Sequence, residues 1–335
     1  MRKGFVFGKF LPFHKGHEGM IRFALTKCDF VTVLICCSDK ETIPAALRKS
    51  WIAESFRNEP NIELQILNYN ENELPNTSVS SESVSEIWSK KFSELFPHYT
   101  TVITSETYGD YIAAFMNIEH IPFDPPRIHY PVSATQIRQS PLQQWHFLPE
   151  SVKPHYCLKV VILGTESTGK TTLTQNLAKA LNSGFVLEAG RDVIPDSTEF
   201  TETDLHRVAT EHASRIATAQ RKDFPIIIID TDIHITKSYA RFSLDLDFEI
   251  PDEVYEINHA QLYLYLNNDV EFVQDGTRLS EEDRNLLDLS HRKVLAEHGI
   301  QFIEICGNWE ERFEQALAEI RQVSEGITFP VRTSS

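Results

Sequence analysis

Residues 164–171 read Gly-Thr-Glu-Ser-Thr-Gly-Lys-Thr and fit the pattern G-x-x-x-x-G-K-[ST] at every position. They follow the apolar run Leu158-Lys159-Val160-Val161-Ile162-Leu163 and precede a Leu- and Ala-rich stretch that begins near Lys170. Such a loop works only between a strand and a helix. The strand anchors it, and the unpaired N–H groups at the helix start converge on an anion. The second half of the chain is thereby committed to a parallel α/β unit. Gly164, Glu166, Ser167, Thr168 and Gly169 would form the phosphate cradle, with Thr172 in the first helical turn. Lys170 would bridge the β and γ oxygens of a triphosphate, and Thr171 would ligate Mg²⁺.

The first half repeats this layout. Gly4-Phe5-Val6-Phe7-Gly8 is an apolar strand, and a helix pattern runs through Gly19-Met20-Ile21-Arg22-Phe23-Ala24. Further short apolar runs at 31–36, 101–104, 226–229, 262–266 and 302–305 lack alternation, which suits strands covered on both faces. Residues 205–221 and 310–323 carry helical patterns, whereas 68–85, rich in Asn, Ser and Glu, reads as a surface loop. Pro149 and Pro154 interrupt any helix near 149–156, so two α/β domains are expected, 1–153 and 154–335.

With 335 residues and a net charge of −16, the chain repels a phosphate backbone, so no nucleic-acid partner is expected. A small phosphate-bearing ligand must be held by local positive groups. No apolar run nears the roughly 20 residues of a bilayer-spanning helix, and no membrane partner is expected. Cys28, Cys36, Cys37, Cys157 and Cys306 show no metal spacing and cannot all pair, which points to reduced thiols and a cytoplasmic setting.

Directly after the first strand comes Gly8-Lys9-Phe10-Leu11-Pro12-Phe13-His14-Lys15-Gly16-His17. Gly16 lets the backbone approach a ligand, and His14 and His17 flank it at a helix start that favours an anion. Attack on the α-phosphate of ATP builds charge on non-bridging oxygens. Imidazole and backbone donors can stabilise that charge with no covalent step. Helix capping or a surface metal pair is the competing account of the isolated His-x-x-His. The whole segment, however, resembles the G-x-F-x-P-x-H-x-G-H signature of the nucleotidyltransferase superfamily. That resemblance implies nucleotide contacts from Gly8, Lys9, Phe10 and Gly16 and catalytic roles for His14 and His17. A second superfamily motif, I-S-x-T-x-x-R, is matched by Val132-Ser133-Ala134-Thr135-Gln136-Ile137-Arg138, with Val in the leading position. It implies that Ser133, Thr135 and Arg138 bind ATP phosphates. Taken alone, it reads as an ordinary capped helix.

In the second half, the run 226–229 ends in Asp230-Thr231-Asp232, the place for a carboxylate that holds Mg²⁺. A helix cap is the competing account. Glu188 follows another apolar segment and is the candidate base for a substrate hydroxyl, against an exposed ion pair with Arg191. Gln274-Asp275-Gly276-Thr277-Arg278, with Arg284 beyond, reads as a lid that brings cations to the phosphoryl group or as a plain turn.

The combination of sites resembles the bifunctional NadR family, which joins a nicotinamide mononucleotide (NMN) adenylyltransferase to a ribosylnicotinamide kinase. The likeness includes Ser105-Glu106-Thr107-Tyr108-Gly109, Asp124-Pro125-Pro126-Arg127, the stretch from Trp145 to Pro149, the P-loop and Asp230-Thr231-Asp232. It implies a Rossmann-like nucleotidyltransferase domain followed by a P-loop kinase domain. The kinase would make NMN from nicotinamide riboside, and the other domain would adenylylate NMN to NAD. ATP is the implied co-substrate and Mg²⁺ the implied metal. A homo-oligomer is compatible with this reading. Some members begin with a helix-turn-helix domain, whereas this chain begins at the catalytic strand, so a repressor role is not expected. The family's aromatic residue beside the second-strand glutamate is replaced by Leu187 and Ala189 around Glu188. A ring against the pyridine must then come from elsewhere: Tyr239 in the kinase, and Trp88 or Trp145 in the first domain. Arg191 and Asp232 complete the substrate candidates. A flavin- or pantetheine-type acceptor, and a nucleotide-sensing protein without turnover, are the alternatives.

Overall fold

The computed structural model describes residues 1–76, 80–194, 200–269 and 280–327, which divide into two compact units at His155/Tyr156. In the first unit the order is β1 (Lys3–Gly8), α1 (Lys15–Lys27), β2 (Phe30–Ser38), α2 (Ala45–Ser55), β3 (Ile62–Tyr69), α3 (Glu82–Leu95) and β4 (Thr101–Thr104). It continues with α4 (Tyr108–Met116), β5 (Glu119–Pro122), α5 (Ala134–Gln139), a single 3₁₀ turn at Trp145–Phe147 and α6 (Lys153–Tyr156). The sheet order is β3-β2-β1-β4-β5, and every neighbouring pair is parallel. Strand order therefore reverses between β1 and β4, and a crevice opens at their carboxyl ends, where α/β sheets bind ligands. The histidine loop leaves β1 at that place.

The second unit runs β6 (Leu158–Leu163), α7 (Lys170–Leu181), β7 (Gly184–Val186), α8 (Gly190–Val193), α9 (Glu202–Ala219) and β8 (Ile226–Asp230). It ends with α10 (Ile233–Leu244), α11 (Asp252–Asn258), β9 (Leu262–Leu266), α12 (Glu281–Glu297), β10 (Ile303–Ile305) and α13 (Trp309–Gly326). Its parallel sheet is ordered β10-β9-β6-β8-β7, with the reversal between β6 and β8. The P-loop leaves β6 and Asp230 ends β8, so the fold brings the two motifs to one crevice. β6 and β9 are buried along their whole length, as apolar strands covered on both faces must be.

The aromatic side chains of the first unit fill its core. Phe5 stacks on Phe96 with ring centroids 4.7 Å apart, and Phe92, Leu34 and Val102 close around them. Trp88 belongs to this core. It meets Tyr69 edge-on and donates its indole N–H to the Pro75 carbonyl at 3.0 Å, so its ring is committed to packing and is not presented to a ligand. Trp145, 4% exposed, is likewise buried.

The expected loop at 68–85 is wrong at both ends. β3 continues to Tyr69, and α3 starts at Glu82 behind Ser81, whose hydroxyl accepts from Val84 N–H. β3 lies at a sheet edge with partly exposed residues, so it lacks the apolar run that marks the central strands. β5, also at an edge, left no such run either.

Candidate functional site

The first site is built on the N-terminus of α1. His14 is its N-cap, and Nδ1 accepts the Gly16 N–H at 3.1 Å. An Nδ1 that accepts must leave the ring proton on Nε2, so His14 presents an N–H donor to the crevice. A Cβ on Gly16 would come within 3.0 Å of that ring, which explains the glycine. His17 stacks on His14 with centroids 3.7 Å apart, and Phe10 meets His17 edge-on at 5.0 Å. Phe10 is held at φ 48, a left-handed conformation that turns the chain into this cluster. Burial, and then the Arg127 charge, lower His14 to about 3. Burial, His14 and Arg127 hold His17 well below the usual histidine range. Both rings are neutral at pH 7, and Nδ1 of His17 has no hydrogen-bond partner among the described residues.

Arg127 is a site residue that the motif reading did not select, although the Asp-Pro-Pro-Arg run contained it. It donates to Glu106 at 2.6 Å, and its backbone sits at φ 53. Asp124 organises this segment by accepting the N–H groups of Ile128 (2.8 Å), His129 (2.9 Å) and Tyr130 (3.2 Å). The second motif occupies α5. Ser133 and Gln136 form a reciprocal capping box, and Arg138 donates to Thr135 Oγ1 at 3.0 Å and to the Leu11 carbonyl. Two motifs far apart in the chain thus meet at the histidine loop. Lys9 pairs with Glu41 at 2.9 Å, and Glu41 also holds the buried Arg48 at 2.7 Å. Arg48 in turn donates to the Lys9 carbonyl at 2.9 Å, so this corner of the loop is braced from below.

In the second unit the P-loop turns through positive φ at both glycines of its pattern and at Ser167. Gly164, Ser167 and Gly169 have φ of 138, 64 and 85, and a Cβ on Gly164 would lie 2.8 Å from the Leu266 carbonyl. Thr168 and Lys170 both donate to the Thr165 carbonyl, at 2.8 and 2.9 Å. Register Ile162↔Asp230 sets the end of β8 beside the loop. There the Thr171 hydroxyl donates to Asp230 Oδ2 at 2.6 Å, and Asp230 is fully buried. A hydroxyl and a carboxylate joined beneath a phosphate cradle are a donor set that fits Mg²⁺.

Around this pair lie Glu166, Glu188, Arg191 and Tyr239. The Tyr239 hydroxyl donates to Glu166 Oε1 at 3.1 Å. The Glu188 carboxyl is pushed up by burial, opposed by Lys170 and reinforced by Asp230. The Arg191 charge also acts on Glu188 and opposes the effect of burial. Thr172 and Arg191 are exposed. Asp232 serves as the N-cap of α10. Its Oδ1 caps α10 by accepting from His234 N (3.0 Å) and Ile235 N (3.3 Å), while Oδ2 lies 2.6 Å from His234 Nδ1. Asp232 is buried, and these contacts give it a helix-capping role. Arg278 and the rest of the expected lid at 274–278 lie outside the described residues.

The sequence reading missed His291. It is fully buried on α12, its Nδ1 lies 2.8 Å from Ser238 Oγ, and its ring centroid is 5.4 Å from that of Tyr239. Burial and the Lys170 charge lower it to about 3. Nothing in the local sequence of α12 marks it. Only the packing of α12 on α10 brings it to the site.

Residues 159–312 match the model of an AAA domain. The chain is 27% identical to the trifunctional NAD biosynthesis/regulator protein NadR of Escherichia coli (strain K12), across 96% of this chain and 83% of that protein. It is 26% identical to the protein of the same description from Salmonella typhimurium, with the same coverage. Among solved structures, a NadR protein in complex with NR matches with a TM-score of 0.73 at 22% identity, covering 100% of this chain and 98% of that one. A NadR protein in complex with NAD and AMP-PNP matches with a TM-score of 0.71 at 23% identity, again covering 100% and 98%. The architecture is that of these proteins.

Proposed function

For a chain that is a homologue of the NadR proteins along 96% of its length, we propose a bifunctional enzyme of NAD synthesis. Its second unit, Tyr156–Ile327, phosphorylates nicotinamide riboside with ATP. Its first, through His155, transfers the adenylyl group of ATP to NMN, giving NAD and pyrophosphate. The observation that carries this reading is that each motif set closes on itself in space: Arg138 on the Leu11 carbonyl, and Thr171 on Asp230.

In the kinase, the P-loop N–H groups cradle the phosphates and Lys170 leaves the Thr165 carbonyl to neutralise the β and γ oxygens. Thr171 and Asp230 would hold Mg²⁺, which supplies charge neutralisation on those oxygens. The riboside hydroxyl attacks the γ-phosphorus while Glu188 takes its proton, and the bond from the γ-phosphorus to the bridging oxygen breaks to release ADP. A carboxyl raised by burial is a stronger base than an exposed one, which suits this task.

In the adenylyltransferase, the NMN phosphate is itself the nucleophile and attacks the α-phosphorus of ATP. His14 donates from Nε2 to the oxygens that gain charge, His17 supplies a second neutral imidazole donor, and Arg127 supplies the positive charge. Neutral imidazoles cost less to keep in this buried site than imidazolium ions, and they still carry one donor each. Arg138 and Ser133 hold the departing pyrophosphate.

The test is incubation of the purified protein with nicotinamide riboside, ATP and Mg²⁺, followed by chromatography for NAD. Lys170→Ala should abolish riboside phosphorylation while supplied NMN is still converted to NAD. Loss of both activities in a folded variant would overturn the two-site reading, and unreacted riboside in the unaltered protein would point to a different acceptor.

A further inference from the structure

Trp309 stands apart from the other three tryptophans. It is 57% exposed, whereas Trp51, Trp88 and Trp145 are 3, 8 and 4% exposed. It opens α13, and its six-membered ring lies on the P-loop. A Cβ on Gly169 would fall 2.2 Å from its Cζ3 and 2.6 Å from its Cη2, so only glycine admits the indole this close.

The ring is carried on a braced frame. Arg312, 1% exposed, donates to the carbonyls of Thr168 (3.1 Å), Asn267 (2.7 Å) and Gly307 (2.8 Å), and also to the Asp269 carboxylate. Asp269 accepts the Gly307 N–H at 2.8 Å, and Asn308 caps α13 reciprocally with Glu311. One guanidinium thus joins the P-loop, the segment after β9 and the turn before α13. Immobilising a large aromatic ring while leaving more than half of it in water gains little for folding, because the unburied area contributes nothing. It does prepare a flat apolar surface on the rim of the phosphate cradle. A base tethered to phosphates in that cradle must lie at its rim, and stacking on an aromatic side chain strengthens binding by about 5- to 150-fold per base.

We propose that Trp309 is the platform on which the purine of the P-loop nucleotide stacks, and that it distinguishes a nucleotide from a bare polyphosphate. The proposal rests on the reading of 164–171 as a nucleotide site. Calorimetry with Mg²⁺ plus either ADP or inorganic tripolyphosphate tests it on the full chain, with Lys170→Ala isolating the P-loop contribution from that of the first unit. Trp309→Ala should weaken Lys170-dependent ADP binding about tenfold or more and leave tripolyphosphate binding unchanged, while Trp309→Phe keeps most of the ADP affinity. Unchanged ADP affinity in Trp309→Ala, or equal weakening of both ligands, would overturn the platform and leave the kinase reading standing. If Lys170→Ala alters the binding of neither ligand, the nucleotide reading of the loop fails and the platform with it.

Discussion

The phenol of Tyr239 donates to Glu166 Oε1 at 3.1 Å, which ties the middle of α10 to the second variable position of the P-loop. Burial and the nearby Glu166 and Glu188 carboxylates hold the phenol well above its ordinary value, so it stays a donor at any working pH. Tyr239→Phe removes this bond and keeps the ring. The loss should be worth about 1 kcal/mol of stability, with the KM for riboside within about threefold of the original. Tyr239→Ala should raise that KM by about tenfold or more, because ring contacts of this kind contribute about 0.5–1.5 kcal/mol beyond the area they bury. Steady-state kinetics with riboside varied at saturating ATP separates the two. A large KM increase in Tyr239→Phe would mean that the hydroxyl, not the ring, meets the substrate.

Glu188→Gln preserves shape and removes the base. Kinase turnover should fall by about 10²–10⁴-fold, with ATP binding intact. Asp230→Asn should also slow the reaction, but with a steeper dependence on Mg²⁺ concentration, because its partner Thr171 is the proposed metal ligand. Near-normal turnover in Glu188→Gln would move the base to another group around Lys170.

His17→Ala should lower adenylyl transfer by about 100-fold or more, the usual loss for one preorganised donor to a developing oxyanion. Riboside phosphorylation should be unaffected. A folded variant with unchanged adenylyl transfer would reduce His17 to a packing partner of His14 and Phe10.

His14 makes stability depend on pH. Its folded value is about 3 against an ordinary 6.5, so between those limits the unfolded chain binds a proton that the folded chain refuses. Stability is therefore full above about pH 6.5, falls as acid is added, and stops falling below about pH 3. One such histidine costs at most about 1.4 kcal/mol per pH unit inside that window. Urea unfolding at pH 7.0 and 5.5 should show a loss, and the loss should be smaller in His14→Gln. Equal losses in the two proteins would mean that His14 titrates normally.

Both candidate sites were legible in the sequence as motifs, because each motif encodes its own local geometry. Gly164 and Gly169 stand where φ is positive, Gly16 stands where a Cβ would crowd His14, and Ser133 stands where α5 needs a cap. The central strands β1, β2, β6, β8 and β9 were legible for a different reason: covered on both faces, they must be apolar throughout. β3 and β5, at the edge of their sheet, carry no such demand and left no signal. Trp88 was a candidate by residue type and Asp232 by its place in the Asp230-Thr231-Asp232 run, and the structure gives them a packing role and a capping role.

By itself, then, the sequence determined two α/β units, each with a glycine-bearing motif loop after its first strand, since glycine, proline and capping positions act within a few residues. The tertiary structure alone decided which distant groups complete each loop. Strand order put Asp230 beneath Thr171. The turn held by Asp124 brought the Arg127 charge to the two histidines, α12 brought His291 beside Tyr239, and Arg312 joined three segments under Trp309. These contacts depend on the register of strands and the packing of helices many residues apart. That is set by burial over the whole unit and leaves no local pattern to read.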